Sequence, residues 1–172
     1  APTRELTEQT HQVIGILGRK TRLRRATIYG GVNIQPQINT LRRGVEIISA
    51  CPGRLLDHIN RRTIDLSRIE VLVLDEADLM FDMGFLPDIR RILARLPRMR
   101  QTLLFSATMP PEIRRLADEV LFLHRGQLAE RAPADAFFFF RHLSGQFDAV
   151  ILLKVIILIT DFIFAHSCHL IF

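Results

Sequence analysis

Three carboxylates, Asp75, Glu76 and Asp78, fall within four residues at the end of an unbroken apolar run, residues 71–74. Like charges this close repel one another, so a strand ending in them calls for a compensating cation. Magnesium fits, because it takes oxygen ligands, keeps several waters, and is held by one or two carboxylates beside substrate phosphates. A second carboxylate can then orient or deprotonate the water that attacks a phosphate chain. The same residues also suit an acidic helix N-terminus, where the helix dipole favours negative charge. On this segment alone both readings stay open.

Three other short stretches carry comparable chemistry. Cys51-Pro52-Gly53-Arg54 puts proline and glycine at the first turn of a helix, leaving backbone N–H groups open to an anion, and Arg54 adds a charge-assisted donor for phosphate. An ordinary strand-to-helix turn with a surface arginine is the plainer alternative. Gly30-Gly31 permits close backbone approach to a sugar-phosphate chain, or is a bare tight turn. Ser106 and Thr108 are small hydroxyls that can tie Asp78 to a neighbouring strand end, or cap the helix after Pro110-Pro111. His166, Cys168 and His169 are metal-type residues, but structural zinc sites usually draw ligands from two segments, and no second cluster is present.

The elements that position these residues alternate in period. Leu6, Val13, Ile14 and Leu17 share a helical face, with Thr3 as N-cap and Glu5 and Glu8 near its positive end. A short strand at 26–29 follows, then a helix at 34–43, a strand at 45–50 and a helix at 54–61 with Leu55, Leu56 and Ile59 inward. A buried strand is expected at 69–74, and a helix at 88–96 burying Ile89, Ile92, Leu93 and Leu96. A strand at 101–105 and a helix at 111–121 complete the pattern. Such alternation predicts an α/β domain with a mostly parallel sheet flanked by helices. In such sheets ligands bind beyond the carboxyl ends of the strands, where all four special stretches lie.

Composition narrows the partners. The 172 residues suit one domain and carry 23 basic against 18 acidic side chains, a net charge of +5. Lys20 and Lys154 are the only lysines. Arginine forks suit phosphate, which favours a nucleic-acid or nucleotide partner, although a coding bias toward arginine explains the count equally well. Two cysteines make no disulfide framework and fit a reducing, cytoplasmic setting. No signal peptide is evident, and the start at Ala1-Pro2-Thr3 reads as cut from something longer.

Together these stretches resemble the first RecA-like lobe of the DEAD-box RNA helicases. Pro2-Thr3-Arg4-Glu5-Leu6 is similar to the family's motif Ia, Gly30-Gly31 to its glycine doublet and Cys51-Pro52-Gly53-Arg54 to motif Ib. Asp75-Glu76-Ala77-Asp78 resembles motif II and Ser106-Ala107-Thr108 motif III, with Met83-Gly84-Phe85-Leu86-Pro87 also alike. The resemblance covers residues 1–121 and implies ATP and magnesium as cofactors and RNA as partner. It implies that Asp75 holds magnesium through water, that Glu76 activates the attacking water, and that Asp78 couples to Ser106 and Thr108. Thr3, Arg4, Gly30, Gly31, Gly53 and Arg54 would line the RNA sugar-phosphate path. Departures accompany it: Cys51 stands where the family usually has threonine, and Leu79 where arginine is frequent. A Gly-x-x-x-x-Gly-Lys-Thr loop, the strand before it and a second lobe are missing from these residues.

Composition changes near residue 131. The last 41 residues hold two basic and three acidic side chains and eight of the twelve phenylalanines. Residues 122–172 therefore read as an atypical apolar tail, possessing a sixteen-residue stretch, 149–164, broken by Lys154 and Asp161. That is short of the roughly 20 apolar residues a membrane span needs, and no membrane partner is expected. Helix, strand, or sequence unrelated to the body all remain open, the last preferred. Loss of the central strand should leave sheet edges unpaired, so the chain alone is expected to fold poorly or aggregate. Residues 149–160, β-branched enough to take the vacant position, are the alternative that would rescue the fold. The functional expectation is a fragment of an ATP-dependent RNA helicase, inactive alone. The alternatives are a non-catalytic RNA-binding remnant and a non-functional gene product.

Overall fold

The computed structural model describes residues 1–108, 111–114, 119–124, 127–133 and 149–154. Thr3 opens helix α1 (Arg4–Leu17), its hydroxyl accepting the Leu6 amide, and a 3-10 turn follows at Gly18–Lys20. Strand β1 (Arg25–Ile28), helix α2 (Ile34–Arg42), strand β2 (Ile47–Ala50) and helix α3 (Pro52–Asn60) come next. Pro52 sits at the start of α3, where its missing N–H costs nothing. Strand β3 (Val71–Leu74), helices α4 (Ala77–Asp82) and α5 (Leu86–Leu93), strand β4 (Gln101–Ser106) and the short helix α6 (Pro111–Arg114) complete the body. Gly84, at φ +79°, makes the turn between α4 and α5 that only glycine adopts without strain.

The parallel pairing expected for the body is present, β1 with β2 and β3 with β4. The two pairs belong to different sheets, however, so four strand ends do not line one continuous edge. Buried side chains include Ile28, Leu56, Met80, Ile89, Ile92 and Leu104. Burying side chains of this size contributes about 1.5–3 kcal/mol each.

Two expectations are corrected. The strand at 69–74 is not buried on both faces: β3 begins at Val71 and ends its sheet, with Val71 and Val73 each 48% exposed. On the apolar face of α1, Leu6 and Ile14 are half-buried while Val13 and Leu17 are 53% and 79% exposed. Of the predicted helix at 111–121, α6 covers Pro111–Arg114, whereas residues 119–121 belong to strand β5 (Glu119–His124). That strand pairs with β6 (Gln127–Pro133) and with β7 (Ala149–Lys154), and ladder hydrogen bonds override the local helical spacing.

The segment read as unrelated tail enters the sheet. Strand β7 pairs antiparallel with β4, Leu152 opposite Leu104, and on its other side with β5, Leu152 opposite Val120. The order β3-β4-β7-β5-β6 puts β7 at the centre, covering the β4 edge that would otherwise lie open. The remaining residues of the 149–164 stretch, the phenylalanine run at 137–140 and His166, Cys168 and His169 lie outside the described residues. Among the described residues no helix is long and apolar enough to cross a membrane.

Candidate functional site

Strands β3 and β4 end side by side, and their following residues are joined. Thr108 donates its amide (2.8 Å) and its hydroxyl (2.9 Å) to Asp78 Oδ2. The Leu79 amide donates to Asp78 Oδ1 at 3.0 Å. In return the Asp78 amide donates to the hydroxyl of buried Ser106 at 3.2 Å, and that hydroxyl donates to the Thr108 carbonyl at 2.7 Å. Burial works against ionisation of Asp78, but the hydrogen bonds to its carboxylate from Thr108 and Leu79 outweigh it and hold the carboxyl below its ordinary value. The cluster makes the turn after β4 depend on one charged side chain of α4.

A depressed carboxyl stabilises the fold above its unfolded pKa, about 3.9, and the contribution disappears as pH falls through the folded value. Between pH 5 and pH 3, therefore, the melting temperature of the parent chain should fall further than that of Asp78→Asn, which has no proton to gain. Equal acid losses in thermal melts of the two proteins would show that Asp78 is not held as a carboxylate.

Glu76 precedes α4 in a left-handed conformation, φ 54° and ψ 51°. A non-glycine residue there costs about 1–3 kcal/mol and persists only where its surroundings impose it, which is frequent at active sites. The strain turns the chain sharply after Asp75, and the Glu76 carbonyl still accepts the Met80 amide at 3.0 Å. Among the described residues, neither Asp75 nor Glu76 has a cation within ion-pair distance. Two uncompensated carboxylates at one strand end fit the metal end of a magnesium–nucleotide group, which needs few protein ligands. The phosphate end has no glycine-lysine loop in these 172 residues, since neither lysine follows a glycine.

The other sequence-singled residues gather at the carboxyl ends of β1 and β2. Gly30 and Gly31 follow β1, and an added Cβ at either, or at Gly53, would meet nothing within 4 Å. Their backbone therefore faces open space, as close approach by another chain requires. Gly31 also has φ +76°. Arg54 is largely covered, its side chain 14% exposed; Nη2 donates to the Val32 carbonyl at 3.0 Å, joining α3 to the glycine turn. Its Nη1 is buried without a partner, a donor that a phosphate oxygen would satisfy. Arg4 lies over the Tyr29 ring at 4.8 Å. Thr3 caps α1 by accepting the Leu6 amide, which leaves its hydroxyl proton to donate.

Supporting residues escaped the sequence reading. Thr7, fully buried, donates its hydroxyl to the Thr3 carbonyl at 2.8 Å and lies 3.3 Å from the Cys51 thiol. With that oxygen's proton committed, the thiol is the donor, so Cys51 links α3 to α1 and makes no side-chain cap of its own. His58, also fully buried, has Nε2 3.2 Å from Gln37 Oε1, while Gln37 Nε2 donates to the Tyr29 carbonyl at 3.0 Å. Burial lowers the His58 pKa, and Arg54 adds to the effect. Neutral His58 thus donates from Nε2 and accepts the Thr63 hydroxyl at Nδ1, 2.8 Å away. A lone histidine and glutamine on separate helices leave no periodic signal by which to find such a pair.

The sequence model of the DEAD/DEAH box helicases matches residues 1–116. The chain belongs to that family. A helicase from Listeria monocytogenes, ATP-dependent RNA helicase CshA, is 45% identical over 157 residues, covering 87% of this chain and 30% of its own length. ATP-dependent RNA helicase DBP2 from Chaetomium thermophilum is 51% identical over 121 residues, covering 70% of this chain and 22% of itself. Among solved structures, a hypothetical ATP-dependent RNA helicase from Sulfolobus tokodaii superposes with a TM-score of 0.64 at 48% identity, over 67% of this chain and 35% of that one. A DEAD box protein from Methanococcus jannaschii gives 0.65 at 46%, over 67% and 32%. The fold is the RecA-like lobe of DEAD-box helicases, and the chain spans well under half of each of these relatives.

Proposed function

We infer that this chain is a segment of a cytoplasmic ATP-dependent RNA helicase, which couples ATP hydrolysis to local separation of RNA duplexes. The observation that carries the reading is the bonding of Asp78 to Ser106 and Thr108 directly beside Asp75 and Glu76. Magnesium with ATP, when bound, supplies the reactive phosphate and the charge that the carboxylates lack. Asp75 would hold the metal through water, and Glu76 would orient the attacking water and take its proton. Asp78 passes any change at that turn to the end of β4 through Thr108. Thr3, Arg4, Gly30, Gly31, Gly53 and Arg54 bear on the RNA backbone, Arg54 through its unpartnered Nη1 and the glycines through open backbone.

The 172-residue chain by itself should release no phosphate above a Glu76→Gln control, with or without RNA. Phosphoryl transfer depends on positioning and charge stabilisation, and a phosphate-cradling loop is absent from these residues. A steady-state phosphate-release assay checks this, and turnover above the control would overturn it. A non-catalytic RNA-binding role has its own support: the glycine turn and Gly53 have open backbone, and Arg54 Nη1 an unpaired donor, in a chain without the phosphate loop. Filter binding of labelled RNA to the chain without ATP separates that role from a product with no function.

A further inference from the structure

The arginine excess is not at the site described above. Residues 18–47 contain seven cations, Arg19, Lys20, Arg22, Arg24, Arg25, Arg42 and Arg43, against one acid, Glu46. The fold gathers them at the amino ends of β1 and β2, where the 3-10 turn, the start of β1 and the end of α2 meet. Arg24 joins the pieces: it reaches Glu46 Oε1 at 2.6 Å with Nη2 and the Arg43 carbonyl at 2.6 Å with Nη1. Its amide also donates to Glu46 Oε2 at 2.6 Å. Arg24 holds the Glu46 carboxyl down at about 2, so the only acid of the segment is ionised and already consumed. The other six cations have no carboxylate within 4 Å among the described residues. Arg25 rests on Gly15, which has no Cβ to obstruct it, and donates to His11 at 3.0 Å. Burial and Arg25 both lower the His11 pKa, so that partner stays neutral and does not offset the arginine.

Six cations without a carboxylate partner at one end of a sheet repel one another and raise the local concentration of polyanions. A four-residue strand spans about 13 Å, so this patch and the glycine turn stand at opposite ends of β1. We propose that the amino edge of the β1–β2 sheet is a second, sequence-independent contact surface for the RNA sugar-phosphate backbone, separate from the glycine-turn and Arg54 edge. RNA is favoured over a lipid surface by two features. Five of the six free cations are arginines, whose planar forks match phosphate oxygens. They come from three chain segments, not from one amphipathic helix lying in a plane. Leu17 and Leu23, 79% and 52% exposed nearby, are what a lipid surface would use instead.

The proposal extends the RNA reading above but needs no ATP site. Fluorescence anisotropy of a labelled 20-nucleotide oligouridylate against the full chain, at several salt concentrations, tests it. Arg19→Gln with Lys20→Gln and Arg22→Gln should weaken binding about tenfold at 0.15 M salt and make the slope of log K against log salt shallower by about 2. Arg54→Gln should weaken binding on its own, and its loss should multiply with that of the triple variant. No effect of Arg54→Gln with the triple loss retained would remove the glycine-turn RNA path while leaving the patch standing. An unchanged affinity and slope in the triple variant would overturn the patch. So would loss of binding to phosphatidylserine vesicles with RNA affinity intact, which would make the surface a lipid contact. Should the triple variant melt below the parent, Arg42→Gln with Arg43→Gln samples the same patch from α2, with the same two readings.

Discussion

Glu76→Gln will abolish ATP turnover in a chimera that carries residues 1–121 in place of the corresponding segment of the Listeria CshA protein. The parent chimera should hydrolyse ATP, because the relative supplies the glycine-lysine loop and the remaining length. The two sequences are 45% identical over 157 residues, enough for the strands to keep their places. General base catalysis contributes about 10²–10⁴-fold, so turnover should fall at least a hundredfold. The substitution keeps size and polarity but removes the carboxylate to which the proposed mechanism gives the water's proton. Binding of ATP should stay within a few-fold of the parent, because Asp75 and the supplied loop are untouched. Turnover surviving in the variant would assign the base elsewhere. Loss of ATP binding together with turnover would make Glu76 a ligand-holding residue.

Leu152→Pro will remove cooperative unfolding, or lower its midpoint by about 6–12 °C. Leu152 is the middle of β7, opposite Leu104 on one side and Val120 on the other. Proline there removes a backbone donor from a strand paired on both sides, where proline is essentially excluded. The change costs on the order of 3 kcal/mol in a regular element interior, and a 1 kcal/mol loss lowers the midpoint of a chain this size by about 2–4 °C. Calorimetry of the parent, of Leu152→Pro and of a chain ending before residue 132 checks the role of the strand. A cooperative transition unchanged in either variant would show that the body folds without β7.

Much of the body was legible because its signals are local. Thr3 sits where a hydroxyl caps α1, Pro52 where a helix can start, and Asp75, Glu76, Ser106 and Thr108 directly after apolar runs that become strands. Residues at a strand's end reach the sheet's edge whatever the rest of the chain does, so their neighbourhood follows from sequence order. The partners do not. Whether Thr108 spends two donors on Asp78, whether Arg54 Nη1 is left unpaired, and whether Cys51 donates to Thr7 depend on separations of 30, 22 and 44 residues being closed in space. No period in the sequence encodes those distances.

The C-terminal strands show the same limit from the other side. Residues 149–154 are apolar enough for helix or strand, and periodicity cannot decide between them. The open edge of β4 decides, because its unpaired N–H and C=O groups are satisfied only by another extended segment. Residues 119–121 likewise leave their helical spacing for the ladders with β6 and β7. The sequence alone determined the family, the strand-end chemistry and the net positive charge. Only the tertiary structure decided how one share of that charge is gathered: three chain segments meet at the amino ends of β1 and β2, and the lone acid there is already taken by Arg24.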